Sequence, residues 1–508
     1  MKSKPALLVI VLCLIAAFGV FVYAQNRAAS PAANLAPAAT APPTAPAAAP
    51  SAAASTGGLV TPPPVTAPTA ADSGPVPALA RKIEIGRALP QAAKECIECH
   101  ARQEPGRMRD WSQSVMARAN VGCLDCHRAE PTDKDAMDCP GTLKYRDQNL
   151  KITPVVTPSD CGRCHPREEE QFARSKHART FEIQTAELKD AFLRGMANEI
   201  ERSVGCWNCH GSDLSSGQLT ELNWPSEGCG RLNPDGSKGS CVICHTAHHF
   251  NIMEARRPET CGQCHLGPDH PQDEIYFESK HGKRYLAEGD LWNYAPAPDL
   301  WEPGADFTAP TCAVCHLAGV GPLATTHDVG ERLKWETQLP LSVPNKDFDG
   351  DQARARMTAV CQQCHSPRWS KNYLARFDLT IANYNDNYFK PAKAIMDDLY
   401  AKKLLTAWPV FDEEIEWVFY EYWHHEGRRA RMGAMMMGPD YAWWHGFYEM
   451  KRHYQELVRL AEEARRNGNG SPVYVPGAGG RNLTPADSPA LPAYWKEIKN
   501  LKGMPPTK

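Results

Sequence analysis

One five-residue pattern, Cys-x-x-Cys-His, occurs eight times along the chain. The units begin at Cys96, Cys123, Cys161, Cys206, Cys241, Cys261, Cys312 and Cys361. Their second cysteines are Cys99, Cys126, Cys164, Cys209, Cys244, Cys264, Cys315 and Cys364. They end in His100, His127, His165, His210, His245, His265, His316 and His365. One chemistry uses every residue of this spacing. Two thiols add across the two vinyl groups of a haem as thioethers, and the adjacent histidine reaches the iron. A single unit reads equally well as part of a zinc ribbon or as a thioredoxin-like redox pair. Eight units, each with histidine directly after the second cysteine, leave those readings almost no room. The expectation is eight covalent haem c groups. Of the nineteen cysteines only Cys13, Cys139 and Cys229 stand outside the pattern.

Eighteen histidines less the eight of the units leaves ten: His177, His248, His249, His270, His281, His327, His424, His425, His445 and His453. An electron-transfer haem takes two axial ligands, because a six-coordinate iron changes little in geometry between its redox states. A lone histidine is ordinarily a surface or core residue; ten of them beside eight irons reverse that prior. Distal ligation is expected of His177, His249, His270, His281, His327, His424 and His445, with no iron assigned to each. "FARSKHA" after the third unit and "FESKHG" after the sixth set His177 and His281 in like contexts. "DWSQSVMARANVGCLDCH" places Met116 where that histidine falls, read as a core gap-filler rather than a thioether ligand. Units packed this densely form an electron wire.

The elements that hold these residues divide the chain. Residues 77–375 carry the units on spacers rich in Gly, Pro, Asp and Asn, so loops and short helices with little sheet are expected. The fold class is mainly α with extensive loops, followed by a C-terminal helical region over 376–466. There Ile395, Met396, Leu399, Leu404 and Leu405 form one apolar stripe, and Ile415, Trp417, Val418 and Tyr422 another. "ELVRLAEEARRNGNG" continues as an amphipathic helix stopping at Gly468. Residues 467–508 are Pro/Gly-rich and expected to be an extended tail. At the other end, Lys2 and Lys4 precede an apolar run from Ala6 to Ala24 that closes on Val22-Tyr23-Ala24. Residues 1–24 are a signal peptide or a membrane anchor; either sends the rest of the chain across the membrane, into the periplasm. The Ala/Pro-rich stretch 25–76 is a tether, which favours the anchor, since a tether needs its far end held. Haem attachment outside the cytoplasm agrees with this leader. A net charge of -3 gives no reason to expect a nucleic-acid partner.

Two stretches could do more than conduct. "LNPDGSKGSCVICHTAHHF" puts Asp235 before the fifth unit and His248 and His249 after it. Asp235 alternatively closes a Pro-Asp-Gly turn, and the two histidines cannot point the same way. In "GPDYAWWHGFYEM", Gly438-Pro439-Asp440 is a helix start, and Tyr441 and His445 at i and i+4 share a face. Its plain reading is a buried aromatic helix.

The eight units, "NPDGSKGSC" before the fifth, "APTCAVCH" at the seventh, "THDVGERLKW" and "WHHEGRRARMGAMMMGPDYAWWHGFYEM" together resemble the octahaem hydroxylamine oxidoreductases, over residues 85–465. The resemblance implies seven bis-histidine haems. The fourth, on Cys206, Cys209 and His210, is then catalytic and crosslinked to a tyrosine from a neighbouring subunit. Tyr441 is the best match to that tyrosine, with Tyr448 second, and the assembly is a homotrimer. It implies oxidation of hydroxylamine to nitric oxide or nitrite, with Asp235 and His248 accepting protons and His249 close behind. Electrons pass through the other haems to a small c-type cytochrome. Phe307 stands where the family carries a pocket tyrosine. The alternatives are reduction of nitrite or hydroxylamine, hydrazine oxidation, or electron transfer alone.

Overall fold

The computed structural model describes residues 91–139, 144–145, 148–189, 197–407 and 410–473. The leader expected over 1–24, the tether over 25–76 and most of the tail lie outside the described residues. Among the described residues no helix is long and apolar enough to cross a membrane.

The units build the first two thirds of the fold. Cys123–His127, Cys206–His210 and Cys312–His316 are helices that consist of the unit and nothing else. Pro158–Gly162 and Pro258–Gly262 start on a proline and wrap the first cysteine of the third and sixth units. The turn closes when the histidine N–H donates to the first cysteine's carbonyl, at 2.9 Å for His165, 3.0 Å for His265 and 2.9 Å for His365. One such turn does not persist in water alone, since nucleating a helix costs more than its first bond returns. It needs an apolar surface to lie on. Among the described residues strand is confined to three two-residue antiparallel ladders: Met137–Asp138 with Lys151–Ile152, Lys144–Tyr145 with Gln148–Asn149, and Trp335–Glu336 with Val343–Pro344. The chain is therefore mainly helical with long irregular connections, as its composition led one to expect.

An aromatic core sits beside the sixth and seventh units. Trp292, Tyr294, Trp301 and Phe307 are buried together, with Trp301 and Phe307 ring centres 4.6 Å apart. Phe307 is thus a packing residue of this cluster.

From Pro367 onward the helices lengthen. Pro367–Tyr384 carries the chain from the last unit into the C-terminal region without a break at 375. Lys390–Ala401, Glu414–Tyr420, Gly427–Met436 and Glu449–Asn467 follow. Three π-helical turns, Asn385–Phe389, Glu421–Glu426 and Trp443–Tyr448, join pieces end to end into longer rods. The expected stripes turn inward: Met396, Leu399, Leu405, Ile415 and Tyr422 are buried with Met450, Leu457 and Leu460. The last helix stops at Gly468, whose φ of 80° only glycine adopts without strain. Arg431 is fully buried, donating to Leu339 O at 2.8 Å and Ser342 Oγ at 2.7 Å. It fastens the helical region to the loop that precedes the eighth unit.

Candidate functional site

Five unit histidines face a second histidine ring. The ring centres lie 6.0 Å apart for His127–His248, 5.9 Å for His265–His177 and 6.1 Å for His210–His270. They lie 6.4 Å apart for His245–His327 and 6.2 Å for His365–His281. Two imidazoles on opposite sides of one metal, each bonded at about 2 Å with roughly 1 Å more to the ring centre, stand about 6 Å apart. The pairs at units two, five, six and eight fit a haem iron between them; at unit four the facing ring, His270, is instead tied to a carboxylate. Burial, then neighbouring imidazoles, pushes His177, His210 and His245 down to about 4 and His265 to about 3. The rings are thereby held neutral, the form that binds iron. Among the described residues His100, His165 and His316 close no such pair.

The sulfurs show how the units adjoin. Thiols of different units come within hydrogen-bonding reach at Cys96–Cys123, Cys161–Cys241, Cys209–Cys264 and Cys261–Cys312. Cys126 also lies near Cys161, Cys244 near Cys261, and Cys315 near Cys361. The spatial order is therefore one, two, three, five, six, seven, eight, with unit four set against unit six. With haems attached these sulfurs are thioethers, and the haems they carry are neighbours.

Unit four has the most elaborate surroundings. Gly228 packs so closely on Gly211, just past His210, that a Cβ on it would lie 1.9 Å from Gly211 N. Thr180 Oγ1 donates to His210 O at 3.0 Å. Opposite stands His270, whose Nδ1 lies 2.8 Å from Asp269 Oδ2. An ionised carboxylate only accepts, so Nδ1 carries the proton and Nε2 is the ring's free acceptor. Burial pushes the Asp269 carboxyl up, but the hydrogen bond from His270 and the charges of His270, His424 and Arg428 hold it well below the usual range. Arg428 approaches Asp269 Oδ2 at 3.8 Å and donates to Gln338 O at 2.9 Å. His424 is buried, and desolvation followed by the Arg428 charge keeps its ring neutral. Both come from the C-terminal region, His424 on the π-helical turn Glu421–Glu426 and Arg428 at the start of the helix behind it.

A family model described as a seven-times multi-haem cytochrome CxxCH matches residues 92–409, more than half of the chain. The chain belongs to this multi-haem cytochrome family. A Kuenenia stuttgartiensis protein described as a probable nitrite reductase-hydroxylamine oxidoreductase fusion is 24% identical over 476 residues, covering 74% of this chain and 52% of the relative. The cytochrome thus spans about half the length of that relative. Among solved structures, a hypothetical multiheme protein aligns with a TM-score of 0.64 at 25% identity, covering 78% of this chain and 100% of that one. A chain of a reducing HAO-like protein complex from Kuenenia stuttgartiensis aligns at 0.56 and 21% identity, covering 76% and 89%. The cytochrome therefore shares its fold with an HAO-like chain, and it binds haem covalently through its Cys-x-x-Cys-His units.

The other candidate residues of the cytochrome fall in separate places. Asp235 accepts from Ser237 N at 2.9 Å, closing its turn, and from Thr157 Oγ1 at 2.8 Å, which starts the helix of unit three. His248 faces His127 of unit two. His249 bonds Glu254 at 2.5 Å rather than facing a unit's histidine. Tyr441 is half-buried on the Pro439–Ala442 helix, its N–H donating to Glu278 Oε2 at 3.3 Å. Its ring centre lies 5.1 Å from that of His445, on the shared face its spacing implied. His445 is exposed and pairs with Asp440 at 3.1 Å. Trp443, Trp444 and Tyr448 are exposed beside it. Sequence reasoning passed over Asp269 and Arg428. The signal available for Asp269 was an Asp-His pair set between two prolines directly after the sixth unit.

Proposed function

We propose that this multi-haem cytochrome oxidises hydroxylamine to nitric oxide or nitrite at the haem of unit four. The other units then pass the electrons to a c-type cytochrome acceptor. The observation that carries the reading is the Asp269–His270 pair standing opposite His210: of the five opposed pairs it alone has a carboxylate paired to the facing ring. Substrate nitrogen loses protons as it loses electrons, so the site needs a base. When bound, the haem iron supplies the place where the nitrogen sits and the outlet for its electrons. His270 Nε2 accepts the proton, and Asp269 Oδ2, bonded to Nδ1–H, stabilises the imidazolium that results. The hydrogen bond from His270, then the charges of His270, His424 and Arg428, keep the carboxylate ionised. The set of eight haems, the periplasmic location and the attachment through residues 6–24 belong to the same proposal.

Tyr441 is the proposed crosslinking residue, delivered by a second copy in a homotrimer. Exposed Trp443, Trp444 and Tyr448 around it support a covered face, since aromatics are enriched where subunits meet. A reductive role on nitrite or hydroxylamine is the second reading. It is favoured by the relatives described as a nitrite reductase-hydroxylamine oxidoreductase fusion and as part of a reducing HAO-like complex. The spectrum of the reduced holoprotein decides between them. The oxidative reading expects a red-shifted Soret component from a crosslinked, five-coordinate high-spin haem, lost in Tyr441→Phe. An ordinary c-type spectrum with low-spin iron throughout would overturn it.

A further inference from the structure

Asp412, Glu413 and Glu416 converge where the helix Glu414–Tyr420 begins, and one carboxylate oxygen from each lies within 4.8 Å of the others. Glu413 and Glu416 are each only 6% exposed. Acidic residues at a helix start are ordinarily satisfied by its free N–H groups. Here Glu413 Oε2 and Glu416 Oε2 are buried and accept no hydrogen bond. Their other oxygens are occupied: Thr406 N donates to Glu413 Oε1 at 2.8 Å, and the Tyr400 hydroxyl to Glu416 Oε1. Among the described residues no Lys, Arg or His forms an ion pair with any of the three. Buried carboxylates without a counter-charge are costly unless a proton or a metal ion takes them up.

We propose that these three carboxylates bind one calcium ion. The donors are all oxygen, the set a hard cation prefers, and calcium holds oxygens at about 2.3–2.6 Å, so two ligands across one ion stand up to about 5 Å apart. The spacing of the cluster fits that span. The ion would clamp three strands of chain that backbone bonds already gather here. Gly470 N donates to Leu404 O at 2.8 Å, Glu414 N to Ser471 O at 2.9 Å and Val473 N to Asp412 O at 2.8 Å. It would also anchor the rod that runs on through His424 to Arg428.

The test uses the purified holoprotein, stripped with chelator, desalted and titrated with calcium chloride at pH 8. One bound calcium per chain by metal analysis and a rise in Tm of several degrees are expected. Glu413→Gln with Glu416→Gln should abolish binding while the haem spectrum stays unchanged. The milder Asp412→Asn, at a half-buried position, should weaken binding at least tenfold and guards against a misfolded double variant. Wild type with an intact haem spectrum that retains no calcium and shows no Tm change up to millimolar calcium overturns the proposal. So does equal binding by the double variant.

Discussion

Residues 91–366 and residues 367–467 solve the same problem with different materials. In the first stretch most helices last one or two turns, and its largest buried apolar group is an aromatic cluster beside units six and seven. In the second, rods of many turns share a core of Leu, Ile, Met, Tyr and Phe. Cysteine-histidine units stand in the first stretch where leucine stripes stand in the second. A haem brings a large apolar surface of its own, so the chain around it can be short turns and loops. The helical region has no such insert and must supply every buried contact itself. The difference separates what is stabilised by a prosthetic group from what is stabilised by side chains.

The harshest way to break the comparison is to withhold haem. Expressed without the attachment machinery, the chain should lose structure over 91–366 and keep helix over 367–467. Limited proteolysis read by mass spectrometry would then leave a protected C-terminal fragment; uniform resistance would show that the units fold unaided. Next in size is Asp269→Asn, which leaves His270 without the acceptor that orients it. Hydroxylamine turnover should fall about 10²- to 10⁴-fold, the usual range for a lost general-base function. Asp235→Asn should stay within about threefold of wild type on the same scale. A reversal of these two in steady-state assays would return the proton-accepting role to Asp235. A cavity in the second region should act the other way. Leu457→Ala, at a fully buried position, should cost about 2–5 kcal/mol and lower the melting of the C-terminal helices, with haem spectra unmoved.

The smallest effect is one of pH. His453 pairs with Glu426 at 3.3 Å, and that partner, against the cost of burial, raises its pKa above 6.5. The folded state therefore holds the proton more tightly than the unfolded state. The stabilisation is complete below pH 6.5 and disappears as pH rises through the raised value. A melting series from pH 6 to 9 on His453→Gln should be flatter than that of wild type; parallel curves would remove His453 as the cause.

What could be read in advance followed the same division. The units and their spacing are local, so the haem-binding residues, the loop-rich first region and the stop at Gly468 were legible from composition and periodicity. The stripes at Met396, Leu399 and Ile415 were legible because a 3.6-residue period is a property of one helix. The grouping at unit four was not, because its parts come from His210, from Asp269 and His270, and from His424 and Arg428. No pattern along the chain says that these meet. Asp235 drew attention through its nearness in sequence to unit five, yet a Pro-Asp-Gly turn is self-contained and keeps its carboxylate at home. The π-helical turns were also invisible, since one extra residue in a turn leaves the apolar pattern almost unchanged while rotating everything beyond it.

The contact of Cys209 with Cys264 has a further consequence. Seven units adjoin in series and the fourth touches the sixth from the side, so unit four is a siding and not a section of the main line. Occupying it with an inert ligand closes the siding but leaves the track through the other seven unbroken. A dithionite-reduced carrier delivering electrons at one end should still discharge them at the other at the same rate, whether or not cyanide or a similar ligand sits at unit four. Poisoning the substrate and cutting the circuit would then be different injuries, and only damage at unit six would inflict both.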